Sequence, residues 1–219
     1  MITVGEKSRG KFVTFEGIDA SGKSVQARLL YQRLQNNDID SVLLRDPGAT
    51  RISERVRDIL LDNAHEEMSP WAELLLYEAA RAQMVEETIF PALADGKVVV
   101  CDRFYDSTTA YQGYGRNLDL KLVKQANTIG SIGLVPDLTF LIDLDPHIAI
   151  ERRKKSNRAD DRMESAGIAL QKRVFAGYRK VAALEPERFS VINGDQEIKI
   201  IEKIIWEIFK NKFPSGFYR

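Results

Sequence analysis

The chain has little of what disulfide scaffolds, metal clusters or membrane anchors require. Its 219 residues include one cysteine, Cys101, so an internal disulfide is excluded and a reducing compartment is expected. Cys101 lies in the apolar run KVVVCD and reads as a buried structural thiol. The two histidines, His65 and His147, are far apart without neighbouring ligands, and both read as surface residues rather than a zinc site. No apolar run approaches the ~20 residues of a membrane helix. The N-terminal MITVGEKSRGK lacks the apolar core of a signal peptide. Charge of neither sign is in excess: 32 basic residues face 32 acidic ones, which removes any global pull toward nucleic acid or an anionic membrane. Internal repeats, low-complexity tracts and linker-like stretches are absent. A single cytoplasmic domain spanning 1–219, with no nucleic-acid or membrane partner, is the expectation.

What is present is alternation. Short apolar, β-rich runs at Phe12–Phe15, Ser41–Leu44, Val98–Cys101, Leu138–Ile142 and Phe189–Ile192 predict strands. Between them, apolar residues spaced by three and four predict helices at Val25–Leu34, Ile52–Leu61, Trp71–Leu93, Leu120–Ile129, Ile168–Leu184 and Ile198–Phe213. Strands that are apolar throughout suit a sheet covered on both faces. The fold class expected is therefore α/β: three layers, with a central, mostly five-stranded parallel sheet between helices. In such sheets ligands bind beyond the carboxyl ends of the strands.

The first strand end carries GIDASGKS, residues 17–24, the phosphate-loop pattern G-x-x-x-x-G-K-[ST] between a strand and a helix. Gly17 and Gly22 let the backbone turn so that the amides of Ile18, Asp19, Ala20 and Ser21 can face phosphate. The helix starting near Lys23 adds its N-terminal dipole. Lys23 is expected on the β- and γ-phosphates of ATP, and the Ser24 hydroxyl on Mg²⁺. A guanine-reading N-K-x-D motif is missing; NKFP at Asn211 lacks the aspartate.

The run CDRFYDSTTAYQGYGR follows a buried strand with Asp102 and Arg103. Asp102 suits a metal's water shell or an attacking oxygen, and Arg103 offers a planar fork to a phosphate dianion. A strand-end salt bridge is the plainer alternative. Ser107, Thr108, Tyr111 and Gln112 then supply hydroxyls and an amide suited to a base and a sugar. Tyr77 and Arg81, four apart in LLLYEAARAQ, share one helix face, where a core tyrosine is the plainer alternative. The one strongly basic run, residues 150–165, has no aromatic. It reads as a solvated helix end or as a lid whose Arg152, Arg158 or Arg162 meets the transferring phosphoryl group. The C-terminal IKIIEKIIWEIFKNKF reads as a packed core helix.

FEGIDASGKS, LRDPGAT, YEAARAQ, CDRFYDSTTAYQGYGR and DRMES, in this order and spacing, resemble the thymidylate kinases over about Phe12 to Tyr178. The resemblance implies a P-loop NTPase-type fold with a short mobile lid, transfer of the ATP γ-phosphoryl group to dTMP with Mg²⁺, and a homodimer. It places Lys23, Asp102, Arg103 and the three lid arginines at the reaction, with Ser24 and Asp102 on the metal. For the acceptor it implies Tyr77 on the thymine, Thr108 and Gln112 facing the base, and Arg57 near a thymine carbonyl. Arg81 and Arg103 match phosphate-orienting arginines, Tyr111 lies beneath the deoxyribose, and Asp19 is near the 3′-hydroxyl. RDPGAT departs from the family's REPGGT at Asp46 and Ala49, and a positive φ at Ala49 would be strained. Two rivals remain: a kinase of deoxynucleosides or of another monophosphate such as dUMP, and an ATP-driven switch or ATPase without an acceptor.

Overall fold

A computed structural model describes residues 9–155 and 161–214. The chain runs β1 (Lys11–Glu16), α1 (Lys23–Gln35), β2 (Ser41–Arg45), α2 (Arg51–Leu61), α3 (Pro70–Met84) and α4 (Phe90–Ala94). It continues through β3 (Val98–Asp102), α5 (Tyr105–Thr108), α6 (Leu120–Gly130) and β4 (Leu138–Asp143). The last elements are α7 (Pro146–Lys155), α8 (Gly167–Leu184), β5 (Phe189–Asn193) and α9 (Ile198–Lys212). The five strands form one parallel sheet in the order β2-β3-β1-β4-β5.

Side-chain parity on β1 decides which face receives which helix. Val13 and Phe15 join the core beneath α1 and α9, with Leu30, Leu34, Ile205 and Phe209. The C-terminal helix is therefore a packed core element. Phe12, Thr14 and Glu16 point to the other face. There Phe12 meets Met84, Ile89 and Phe104, and Thr14 pairs with Thr139 across the sheet at 2.8 Å. Cys101 is a free, buried thiol on this same side. Leu141 packs against Leu170, Val174 and Tyr178 of α8.

Every expected strand lies within one residue of its observed bounds. The helix expected over Trp71–Leu93 is not continuous. It widens into a π-helical stretch at Val85–Ile89 before resuming as α4, which contains Pro91. Proline has no N–H to donate back along the helix and its ring crowds the preceding turn, so the backbone loosens just ahead of it. Two longer helical elements lie outside the six stretches predicted as helices from apolar spacing. One is α7 in the basic run. The other is Tyr105–Gly115, an α-turn that widens into π geometry over Thr109–Gly115.

Local capping starts the helices that carry the site. The Thr50 hydroxyl accepts from the Ser53 amide at 3.1 Å ahead of α2. Ser69 accepts from Ala72 ahead of α3, whose first residue is Pro70. Strand register sets the rest. Asp102 pairs with both Phe15 and Arg45, so the carboxyl ends of β1, β2 and β3 are level. The Arg103 amide then bonds Phe15 and the Asp46 amide bonds Asp102, each at 2.9 Å, which extends that alignment into the loops.

α6 meets α3 at Gly130, where an added Cβ would lie 3.0 Å from the Glu78 Cα and closer still to its carboxylate. Gly130→Ala improves helix propensity by about 1 kcal/mol, yet the clash should win. We expect a net destabilisation of roughly 1–3 kcal/mol in urea unfolding; a neutral or stabilising result would show that the two helices are free to separate.

Candidate active site

The phosphate loop begins where β1 ends. Gly17 takes φ 142° and Gly22 φ 97°, conformations that favour glycine, and Ala20 takes φ 60°. A Cβ at Gly17 would lie 2.6 Å from the Ile142 carbonyl, so the loop passes too close to β4 for any larger residue. Lys23 opens α1, buried, with its ammonium 3.8 Å from Asp19. Burial and the Arg103 charge lower the Lys23 pKa, against the pull of Asp102, Asp19 and Glu16.

Arg103 ties this loop to the far side of the site. Its guanidinium donates to the Gly17 carbonyl at 3.0 Å, to Asp19 at 2.5 Å and to the Tyr178 hydroxyl at 2.9 Å. Tyr111 donates its hydroxyl proton to the other Asp19 oxygen at 2.7 Å and lies 3.2 Å from Arg103. Burial alone would raise the Asp19 carboxyl; the Arg103 and Lys23 charges and the Tyr111 hydroxyl outweigh it and hold Asp19 well below the usual carboxylate range. Arg103 has φ 72°, a strained left-handed backbone that turns its side chain back over the loop.

A cavity open to solvent lies beside Arg103. All the residues expected to hold the acceptor line it: Asp19, Arg57, Tyr77, Arg81, Arg103, Thr108, Tyr111 and Gln112. Arg57 donates to the Pro47 carbonyl at 3.0 Å. Arg81 is almost wholly buried in the wall, donating to Asp46 at 2.6 Å, to Glu78, and to the Thr108 hydroxyl at 2.8 Å. Its guanidinium is thus largely committed to the protein, where the sequence placed it on the acceptor phosphate. Thr108, Tyr111 and Gln112, spaced by three and four along the helical stretch Tyr105–Gly115, share one face and all line the cavity.

The donor side shows a second set. Ser24 and Asp102 line one cleft, and Asp102 Oδ1 is buried there without a hydrogen-bond partner. An unpaired buried carboxylate oxygen beside a serine hydroxyl is a donor set that suits Mg²⁺ and its water shell. Ala20, Ser21 and Gly22 line another cleft with Arg152, which donates to the Gly194 carbonyl at 3.1 Å. Arg162 lies elsewhere. It is buried against Glu73 at 2.7 Å and the Leu60 carbonyl at 2.8 Å, between Asp161 and Met163, which line the cavity beside Arg103. Arg158 lies outside the described residues.

Sequence reasoning overlooked three buried carboxylates: Glu16, Glu73 and Glu78. Glu16 accepts from the Phe104 amide at 2.8 Å, from Ser107 at 2.6 Å and from Tyr178 at 2.9 Å. Its signal was available: a charged residue closing an otherwise apolar strand, on the parity of Phe12. Glu73 stands four residues before Tyr77 on the same helix face. Ala49, where the family pattern has glycine, takes φ 70° and donates its amide to Glu54 at 2.9 Å.

Comparison with known proteins gives one answer by three routes. A family model described as thymidylate kinase matches residues 15–205. A thymidylate kinase of Pelotomaculum thermopropionicum is 46% identical over 193 residues, covering 88% of this chain and 89% of that one. One from Caldanaerobacter subterraneus is 46% identical over 197 residues, covering 90% and 93%. The crystal structure of a thymidylate kinase from Ehrlichia chaffeensis superposes with a TM-score of 0.74 at 34% identity, covering 92% of this chain and 99% of that chain.

The environment of Glu16 has a measurable consequence. Burial and the neighbouring Asp106 raise its carboxyl from 4.5 to about 7, against Arg103 and the Ser107 and Phe104 hydrogen bonds. Between these values the folded protein keeps a proton that the unfolded chain has lost, so stability falls as pH rises from 4.5 to 7. Glu16→Gln should lack this slope. Relative to wild type it should gain roughly 2–3 kcal/mol across the window in urea unfolding. Parallel pH profiles would show that Glu16 does not titrate there.

Proposed function

The chain belongs to the thymidylate kinase family, and from that membership we propose how its residues share the transfer of a phosphoryl group from ATP to dTMP. The reaction is ATP + dTMP → ADP + dTDP. One observation carries the assignment of roles: Arg103 lines the acceptor cavity while bonded to Asp19 and Gly17 of the phosphate loop. A single guanidinium therefore spans the line between donor and acceptor phosphates.

The amides of Gly17 to Ser24 and the Lys23 ammonium hold the ATP phosphates, and Lys23 exchanges its contact with Asp19 for the β- and γ-oxygens. The acceptor is already a phosphate oxygen, so no strong general base is required; positioning and charge neutralisation lower the barrier. Arg103 orients the dTMP phosphate. Tyr77 flanks the base, with Arg57, Thr108 and Gln112 along its edges, and Arg81 fixes Thr108 from behind. Tyr111 sets the floor under the sugar, and Asp19 faces its 3′ side. Ser24 and Asp102 would hold Mg²⁺, which supplies charge neutralisation on the ATP phosphates. Of the lid arginines, Arg152 beside the loop is the one we assign to the transferring group.

A homodimer is supported by apolar side chains left in solvent on the packed pair α3 and α6: Leu75 is 61% and Ile129 76% exposed. No helix among the described residues is long and apolar enough to cross a membrane. The cytoplasm, with its ATP and its reducing poise, is the compartment we propose.

Three experiments test this reading. ADP release from Mg-ATP should depend on dTMP and be absent with thymidine; equal release without acceptor would identify an ATPase instead. Arg103→Ala should lower kcat/KM for dTMP at least ~100-fold while changing ATP affinity less than ~5-fold. Equal losses would remove Arg103 from the acceptor. In sedimentation velocity the wild type should run as two chains and Ile129→Lys as one; a monomeric wild type would exclude the dimer.

A further inference from the structure

Glu73 collects more polar side chains than any simple helix residue needs. It lies on α3 with its side chain 1% exposed. One carboxylate oxygen accepts from Gln112 Nε2 at 2.8 Å and from Arg116 Nε at 3.2 Å. The other accepts from a second Arg116 nitrogen at 3.0 Å and from Arg162 at 2.7 Å. Burial works to raise the Glu73 pKa, but the Arg116 and Gln112 hydrogen bonds and the Arg116 and Arg162 charges outweigh it. The group is held below the usual carboxylate range. Glu73 is therefore an anion that can only accept.

That settles a point of chemistry at Gln112. The nitrogen and oxygen of a carboxamide are nearly interchangeable in shape, and which faces which partner is decided by the hydrogen-bond network. A carboxylate 2.8 Å away requires the NH₂. Gln112 lines the acceptor cavity, and with its NH₂ turned to Glu73 its oxygen is the atom that can accept from a ligand. An acceptor atom held in place there suits a base that presents a ring N–H. Thymine has one at N3, between two carbonyls. Cytosine has a bare ring nitrogen at the same position, and two acceptors would face each other.

We infer that Glu73 is a specificity-determining positioning residue: it fixes the Gln112 carboxamide with its oxygen toward the base, selecting imide-bearing pyrimidines over cytosine. Arg116 and Arg162 keep Glu73 ionised and in place. Arg162, expected from the sequence at the transferring phosphoryl group, here supports the reading of the base. Without the anion, the amide is free to turn over and offer its NH₂ to a cytosine ring nitrogen. A site built around one hydrogen-bonding pattern rejects the wrong partner because buried polar groups are left unpaired.

This inference rests on the cavity being the dTMP site, and the test separates the two. KM and kcat for dTMP and the inhibition constant of dCMP would be measured for wild type, Glu73→Gln, Gln112→Leu and the double variant. Glu73→Gln should raise KM for dTMP about tenfold with a smaller change in kcat. The dCMP inhibition constant should hold or tighten, so the dCMP-to-dTMP ratio falls at least tenfold. In the Gln112→Leu background the same substitution should leave that ratio unchanged. Equal weakening of both nucleotides would mean that Glu73 only supports packing and would overturn the inference. So would a ratio that drops as far without Gln112. A wild type inactive on dTMP would overturn the assignment of the cavity, whereas normal wild-type turnover with an unmoved ratio in Glu73→Gln overturns the role of Glu73 alone.

Discussion

The ion pair between Arg103 and Asp19 joins the two halves of this enzyme, and most of the site's geometry is referred to it. One partner belongs to the phosphate loop, the other to the end of β3, the two sides to which we assign the donor and the acceptor. Tyr111 and Tyr178 bond the same pair from two different helices, so the loop, β3, the widened helix and α8 share one polar junction. Its charges are largely withdrawn from solvent, which makes each contact stronger and each missing partner more costly. In-line transfer requires two phosphates to be placed to within a fraction of an ångström, and a junction with no slack is the physical way to do so.

Buried charge recurs wherever an element must be held at a fixed angle to the sheet. Arg81 links Asp46, Glu78 and Thr108 across three segments. Arg188 forks onto Asp106 at 2.7 and 2.8 Å and also reaches Thr139, tying the start of β5 to α5. Buried pairs of this kind add little net stability compared with well-packed apolar side chains. What they supply here is direction: each guanidinium has a planar fork that accepts partners at set angles only. The apolar layers provide the driving force for folding, and the ionic sets decide where the site's side chains come to rest.

The sheet was legible because its signal is local and strong. Runs such as FVTF and VVVC are apolar on both faces, and the motif at Gly17 to Ser24 needs only a strand before it and a helix after it. The helical stretch Tyr105–Gly115 escaped notice because its serine, threonine and glycine content argues for a loop, while tertiary packing supplies the helix. The identity of the pocket residues was legible through their types and order. Their partners were not. Nothing in the spacing of Glu73 and Gln112, or of Arg162 and Glu73, announces that they meet, since those contacts depend on how three helices lean against one sheet. Arg162 illustrates this most plainly. Its salt bridge to the buried Glu73 is a contact that only the packing shows.

The left-handed backbone at Arg103 sets a limit on how this protein can change. With φ at 72°, the main chain there is most at ease with glycine or asparagine. The role we propose for it, in contrast, asks for a guanidinium. No residue type satisfies both demands. A substitution that relaxes the backbone discards the fork, and lysine would retain the strain while offering only a point charge. In the role we propose for Arg103, stability and activity are opposed at this position: a residue that eases the backbone gives up the fork that orients the acceptor.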